Sequence, residues 1–276
     1  MRFLVVLFLI CLPATPLFSQ PNCLIYPESS GERLACELSY RAIEYPQGSK
    51  ESQLLFDQAI SIGPNFAWAY YEKSVPFFKR GFLLEGLEIL KHAVDIAPLD
   101  FLCYRAYWFW QYKNYQLCIR DLETYYKMPK AYLQTTPGGE KDMRIILGLA
   151  YAKIGNFKKG IEVIENCLNS YTREIDIGFA DYLSLGMLYY YNGDYDKAMD
   201  ALLKQETIIS GSAETEYFLG MVHKKRNELE EAEAYFQQAL ATFSNKNRFH
   251  NINAGFRVSI DDVKRELEGL TKVHRN

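Results

Sequence analysis

Three stretches of the chain decide its fold: LGLAYAKIGNFKKG (147–160), LGMLYYYNGDYDKA (185–198) and LGMVHKKRNELEEA (219–232). They align without gaps at offsets of 38 and then 34 residues. Each stretch begins with Leu-Gly and ends in Gly or Ala. A recurrence at this spacing is typical of repeat architectures, in which one small supersecondary unit is used several times.

The same internal spacing, followed in both directions, gives six copies that start near Arg33, Ala67, Leu99, Lys141, Phe179 and Ala213. In the copy at 179–209, apolar residues recur at three- and four-residue steps on both sides of a break at residues 192–194. This pattern predicts two helices, with Gly193 ending the first and Asp194 capping the second. Gly186 and Ala198 are expected where the two helices approach most closely. One such pair cannot bury its apolar faces alone, so neighbouring copies must stack.

The order Leu-Gly, Tyr, Gly, Tyr, Ala and a trailing Pro resembles the tetratricopeptide repeat (TPR) family over roughly residues 33–244. The resemblance implies an all-α fold: a right-handed superhelical solenoid of antiparallel helix pairs, with about six TPR-like repeats. A solenoid also needs a polar closing element. The stretch SIDDVKRELEGL (259–270) predicts a C-terminal capping helix that begins at Ser259.

The copies are not evenly spaced, and the irregularities suggest a division of the chain. Between the third and fourth copies the spacing lengthens around PKAYLQTTPGGE (129–140), whose Pro and Gly residues prevent a continuous helix. This stretch is therefore expected to be a loop or hinge between two three-copy halves. The predicted organisation is a signal peptide (1–19), an N-terminal segment (20–32), repeats 1–3 (33–128), the loop or hinge (129–140), repeats 4–6 (141–244), and an irregular segment with the capping helix (245–276).

The first nineteen residues have the layout of a secretory signal peptide. Arg2 precedes a ten-residue apolar run, Phe3 to Leu12, which Pro13 and Pro16 interrupt. The run is too short to span a bilayer. We expect cleavage near Ser19–Gln20 and export to a periplasm or the cell exterior; the alternative is an uncleaved N-terminal anchor. No later stretch reaches eighteen consecutive apolar residues, so no transmembrane segment is expected in the mature chain.

Five cysteines follow the predicted cleavage site, and they contain no C-x-x-C pair. An exported compartment permits disulfides, and Cys23 with Cys36 is the best candidate pair. Free, buried thiols are the alternative.

Composition and motifs favour a non-catalytic protein. The 31 Lys and Arg residues are balanced by 34 Asp and Glu residues, so no basic footprint for nucleic acid is present. The sequence has no G-x-S-x-G, H-E-x-x-H, Walker or G-x-G-x-x-G motif. His92, His223, His250 and His274 lack the spacing of a metal site. We therefore predict no catalytic residues, no metal site and no cofactor.

The resemblance also implies a binding surface, because the first helix of each TPR repeat lines a concave groove that holds extended peptides. Carried over copy by copy, it points to an aromatic stripe with a few lysines: Trp68, Tyr71, Phe78, Lys79, Tyr107, Trp110, Lys153, Tyr190, Tyr191, Tyr217, Lys224 and Lys225. We expect a protein or peptide partner with apolar or aromatic side chains, and lysines that contact its acidic groups. The function predicted is that of an assembly scaffold or adaptor. Two alternatives remain open: these aromatics pack between repeats, or they bind a glycan or a small apolar ligand.

Overall fold

The computed structural model describes residues 20–245 and 255–273, with side chains up to residue 271. The predicted signal peptide (1–19), His250 and His274 lie outside the described residues. Within the described ranges the chain forms thirteen α-helices and no β-strand, which confirms the predicted all-α fold class. The helices are α1 (Gly31–Ile43), α2 (Lys50–Ile62), α3 (Ala67–Lys79), α4 (Leu83–Ile96), α5 (Pro98–Gln111), α6 (Tyr115–Lys127), α7 (Met143–Lys153), α8 (Phe157–Ser170), α9 (Asp181–Asn192), α10 (Tyr195–Ile208), α11 (Ala213–Lys225), α12 (Leu229–Ser244) and α13 (Ile260–Val273).

The chain divides into two compact units. The first ends at Ile96 and contains the pairs α1/α2 and α3/α4. The second begins at Ala97 and contains the pairs α5/α6, α7/α8, α9/α10 and α11/α12, together with α13. Throughout the part of the chain that the structure describes, the helices are too short or too polar to cross a membrane.

Glycine allows the helices of a pair to approach closely in the second unit. A Cβ atom added at Gly186 of α9 would lie 2.7 Å from Cγ of Leu202 in α10. One added at Gly220 of α11 would lie 2.7 Å from the ring of Phe236 in α12. Real Cβ atoms are essentially never found so close to other heavy atoms. The Gly of the repeated Leu-Gly is thus a packing requirement, because interiors are too dense to absorb an extra carbon freely.

The turn inside the fifth copy ends α9 as predicted but begins α10 differently. Gly193 has φ = 87°, a left-handed conformation that favours glycine. Asp194 is the first flanking residue of α10, but its side chain caps no backbone N–H. Its carboxylate instead accepts a hydrogen bond from Nδ2 of Asn192 at 2.6 Å. The expected capping role of Asp194 is therefore corrected to a side-chain bridge across the turn.

The inserted segment 129–140 is tied into the second unit at both ends. The hydroxyl of Tyr125 donates to the carbonyl of Tyr132 at 2.9 Å, and the amide of Thr136 donates to the carbonyl of Lys141 at 2.8 Å. The ammonium of buried Lys141 donates to the carbonyl of Ala180 at 3.2 Å and to the hydroxyl of Ser184 at 3.3 Å. The boundary between the two compact units falls between Ile96 and Ala97, and the expected three-copy halves stay a prediction.

A disulfide and two hydrogen bonds hold the N-terminal segment on α1. Cys23 and Cys36 are joined, with their Cα atoms 5.6 Å apart. The hydroxyl of Tyr40 donates to the carbonyl of Pro21 at 2.8 Å, and the guanidinium of Arg33 donates to the carbonyl of Cys23 at 3.2 Å. The thiols of Cys103, Cys118 and Cys167 are free and buried.

Helix α13 closes the second unit by packing on α12. Its buried Val263 and Leu270 join a cluster with Ala232, Phe236 and Ala239 of α12. The helix begins with a reciprocal cap, since the amide of Asp262 donates to the hydroxyl of Ser259 at 3.2 Å and Asp262 accepts from the amide of Ser259 at 2.8 Å.

Candidate peptide-binding surface

Five of the twelve residues assigned to the groove are buried. Each retains less than a tenth of its exposure, so none presents a face to a large partner: Trp68, Tyr71, Phe78, Trp110 and Tyr190. Phe78 packs against Gly86 of α4, where an added Cβ would meet its ring at 2.9 Å. The ring of Trp110 lies 5.4 Å from that of Tyr115 in α6. For these five aromatics the burial favours the alternative of packing within the helical units, which satisfies the same helical period, and their role in a groove stays a prediction.

The other seven residues retain some exposure. In the first unit Lys79 is exposed, and its ammonium donates to Oε1 of Gln47 at 2.7 Å. In the second unit Tyr107 is half-buried and Lys225 is exposed. The remaining four gather where the chain returns after α12: Lys153, Tyr191, Tyr217 and Lys224. We call these four residues the return surface.

Phe256 occupies the return surface. Its ring centroid lies 4.5 Å from that of Tyr191, and the ammonium of Lys153 lies 3.9 Å from the centre of the Phe256 ring. The neighbouring Gly255 is buried against Leu149 of α7, where an added Cβ would meet Cδ2 at 2.5 Å. An aromatic ring held between another ring and a cation is a favourable arrangement, worth roughly 0.5–2 kcal/mol for each contact.

Acidic side chains of α13 complete the surface. The ammonium of Lys224 lies 2.6 Å from Oε2 of Glu266 in an ion pair that is partly shielded from water. Burial, followed by the charges of Glu266 and Asp262, raises the pKa of Tyr217. Burial and the charge of Asp262 likewise raise the pKa of Tyr191, so both phenols stay protonated at neutral pH.

The return surface therefore contacts one aromatic side chain and one carboxylate, both from the part of the chain that follows α12. The sequence pattern selected four residues of this surface, but it did not select Phe256. The only available signal was an isolated aromatic in the polar stretch NAGFRV (253–258), which belongs to no repeat.

No group of three or more His, Cys, Asp or Glu side chains in the described residues is arranged to hold a metal ion. A polar cluster joins buried Lys141 and Asp181 with half-buried Tyr171. Oδ2 of Asp181 accepts from the amide of Gly178 at 2.8 Å and from the hydroxyl of Tyr171 at 3.4 Å. This network orients the connections between helices, as buried polar groups commonly do when they are hydrogen-bonded.

Family comparison agrees with the repeat pattern in the last two copies. Two segments, residues 182–209 and 218–243, match family models described as tetratricopeptide repeat. They correspond to the helix pairs α9/α10 and α11/α12. No curated protein matches the sequence.

Solved structures show that the fold resembles that of TPR proteins. PilF of Pseudomonas aeruginosa is 15% identical, with a TM-score of 0.61 over 87% of this chain and 100% of its own. PilW, described as a widely conserved type IV pilus biogenesis factor, is 14% identical, with a TM-score of 0.59 over 78% of this chain and 96% of its own. YrrB, described as a TPR protein with an unusual peptide-binding site, is 14% identical, with a TM-score of 0.54 over 69% of this chain and 93% of its own. At these identities the likeness establishes an all-α helical-repeat fold.

Proposed function

We propose that the protein is an exported, non-catalytic scaffold that binds a protein or peptide partner through the return surface. The observation that carries the proposal is the position of the Phe256 ring, which contacts both the ring of Tyr191 and the ammonium of Lys153. A surface that holds one peptide segment of its own chain has the chemistry to hold a similar segment of another. The peptide-binding site ascribed to YrrB supports this interpretation by analogy of fold.

The preferred partner is a peptide segment with one aromatic side chain and an acidic group that follows it in the chain. The aromatic side chain would take the place of Phe256, and the acidic group would take the place of Glu266 beside Lys224. Aromatic anchors commonly dominate the free energy of such interfaces. The segment from Phe256 to Glu266 is on this view an internal ligand, with which an external partner competes.

Export is supported by two separate features. The apolar run and prolines of residues 1–19 fit a signal peptide. The disulfide between Cys23 and Cys36 fits an oxidising compartment, since such bonds are rare where glutathione keeps thiols reduced.

The binding proposal is tested with the chain's own segment supplied in trans. The Phe256→Ala variant, prepared from Gln20 onward, is titrated into a fluorescent peptide with the sequence of residues 253–268, which includes both Phe256 and Glu266, and binding is followed by anisotropy. We expect saturable binding. Replacing Phe by Ala in the peptide, or adding Tyr191→Ala to the protein, should weaken binding at least about tenfold, or about 1.4 kcal/mol.

A matched control carries Lys225→Ala in the Phe256→Ala background, because Lys225 is exposed and lies outside the return surface. That variant should bind the peptide as tightly as Phe256→Ala alone. Absence of peptide binding by a folded Phe256→Ala protein would contradict the proposal. Binding of bare oligosaccharides in place of the peptide would support the glycan alternative.

A further inference from the structure

A cavity of about 700 Å³ lies in the first unit. Its walls come from the end of α1, the α1–α2 connection, α2 and α3. The volume lies within the range of small-molecule sites. The residues that line the cavity are Gln20, Ile43, Tyr45, Gln47, Gly48, Ser52, Gln53, Phe56, Trp68 and Glu72.

We propose that this cavity binds an organic cation, an alkylammonium or guanidinium group on an apolar body, with Glu72 as its counter-ion. The helical spacing of the lining residues brings the required groups together. Trp68 and Glu72 are four residues apart on α3, and Gln53 and Phe56 are three apart on α2, so each pair shares one helix face. A carboxylate next to aromatic walls is the combination that attracts a partly desolvated cation.

Two polar side chains that line the cavity, Gln53 and Glu72, can accept further hydrogen bonds. Both amide atoms of Gln53 are buried, and neither has a hydrogen-bond partner within residues 20–245 and 255–273. Within the same residues Glu72 forms no ion pair and no hydrogen bond. A buried polar group without a partner is costly and calls for an explanation. A bound ammonium would satisfy the Glu72 carboxylate and the Gln53 carbonyl together.

Two cations beside the cavity are hydrogen-bonded to residues of its wall, and a third is paired with a carboxylate of α2. The ammonium of Lys79 donates to Gln47, and the guanidinium of Arg80 donates to the carbonyl of Gly48 at 3.2 Å. Lys73 is paired with Asp57. Glu72 is the one acidic side chain among the described residues that line the cavity, and burial raises the pKa of its carboxyl to about 7 even though the charge of Lys79 acts in the opposite direction. An anionic ligand would meet this carboxylate at close range, so the cavity favours positive charge.

The test compares three probes of similar size and different charge: butylammonium, butanol and butanoate. Each is titrated at pH 8, where Glu72 is mostly ionised, and binding is followed by two-dimensional NMR of the backbone amides around Gln53 and Glu72. We expect butylammonium to bind at least about tenfold more tightly than butanol, and butanoate not to bind. Glu72→Gln keeps the shape of the side chain and removes its charge, so it should weaken butylammonium binding at least about tenfold.

Glu85→Gln is the matched control, because Glu85 is exposed on α4 of the same unit and does not line the cavity. It should leave butylammonium binding unchanged. Equal binding of butylammonium and butanol would overturn the proposal, as would full binding by Glu72→Gln. Trp68→Phe keeps an aromatic wall and provides a second variant, in which binding should weaken but persist. None of these results affects the peptide proposal, since the return surface belongs to the second unit.

Discussion

Gly186 shows how one residue sets the spacing of a helix pair. A Cβ atom there would lie 2.7 Å from Cγ of Leu202 and 3.4 Å from the carbonyl oxygen of Ala198, so α9 and α10 are in contact through glycine. Gly186→Leu should overpack this contact and lower the free energy of unfolding by about 1–3 kcal/mol. Urea denaturation measures the change. Asp200→Leu is the control, since Asp200 is exposed on α10 and the change should stay within about 0.5 kcal/mol. An unaltered midpoint for Gly186→Leu would contradict the assigned repeat register.

Glu72 predicts a pH dependence of stability with a definite sign. Burial raises the pKa of its carboxyl from 4.5 to about 7. Below pH 4.5 the carboxyl is protonated in both the folded and the unfolded chain, and its contribution to the free energy of unfolding is at its most favourable. Between these two pKa values the folded chain keeps a proton that the unfolded chain has lost. The free energy of unfolding therefore falls as pH rises, and the fall levels off above about 7.

The Glu72→Gln variant removes this titration and isolates it from every other group. From pH 4.5 to pH 8 the free energy of unfolding of the variant should rise by about 1–3 kcal/mol relative to that of the parent protein. This range allows for solvent screening in an open cavity. Urea melts at a series of pH values measure the difference. If the difference in the free energy of unfolding between the two proteins did not change with pH, the pKa of the Glu72 carboxyl would not be raised in the folded chain.

At the scale of helices, the repeat period predicts more of the fold than of the site. The Leu-Gly spacing and the turn at Gly193 mark helix pairs, because a close contact and a left-handed residue each favour glycine. An aromatic residue type does not predict whether its side chain is buried or exposed, since Tyr and Trp suit both a core and an interface. The burial of Trp110 and Tyr190 beside the exposure of Tyr191 was therefore outside the reach of the pattern.

Two further features could not be predicted from the sequence pattern, because neither depends on the repeat period. Phe256 lies in a stretch without a period, and its contact with Tyr191 joins residues 65 positions apart. The cavity in the first unit is a space between several elements, and no residue type in the sequence predicts such a space. The loop at 129–140 was recognised from Pro and Gly, but its attachment through buried Lys141 depends on partners near residue 180.

Trp110 on α5 tests the revised packing of that helix. It is 7% exposed and its ring is 5.4 Å from that of Tyr115, so removing it should leave a cavity in the core of the second unit. Trp110→Ala should lower the free energy of unfolding by about 3–5 kcal/mol. Phe179→Ala is the control, because Phe179 is 61% exposed and should cost far less. Unchanged stability with weakened partner binding would instead restore Trp110 to the binding surface.

At the scale of the whole molecule, the proposed export would change the net charge of the chain and leave its disulfide in place. Removing residues 1–19 removes Arg2 and no acidic residue, which leaves 30 basic against 34 acidic residues, or a net charge of −4. The disulfide joins Cys23 to Cys36, and both cysteines follow the expected cleavage site. The bond would therefore remain in the processed protein.

Processing can be checked on protein isolated from its native host. We expect a mature N-terminus near Gln20, because the apolar run of residues 3–12 is short and ends at proline. Intact-mass spectrometry without reductant should give the mass of the chain from about Gln20 to Asn276, lighter by the two hydrogens lost when Cys23 and Cys36 are oxidised. Alkylation after reduction should then label two further thiols. A mass that retained Met1 to Ser19 would contradict cleavage and favour an anchored form, whereas the correct mass with both hydrogens present would contradict the disulfide in the cell and leave cleavage supported.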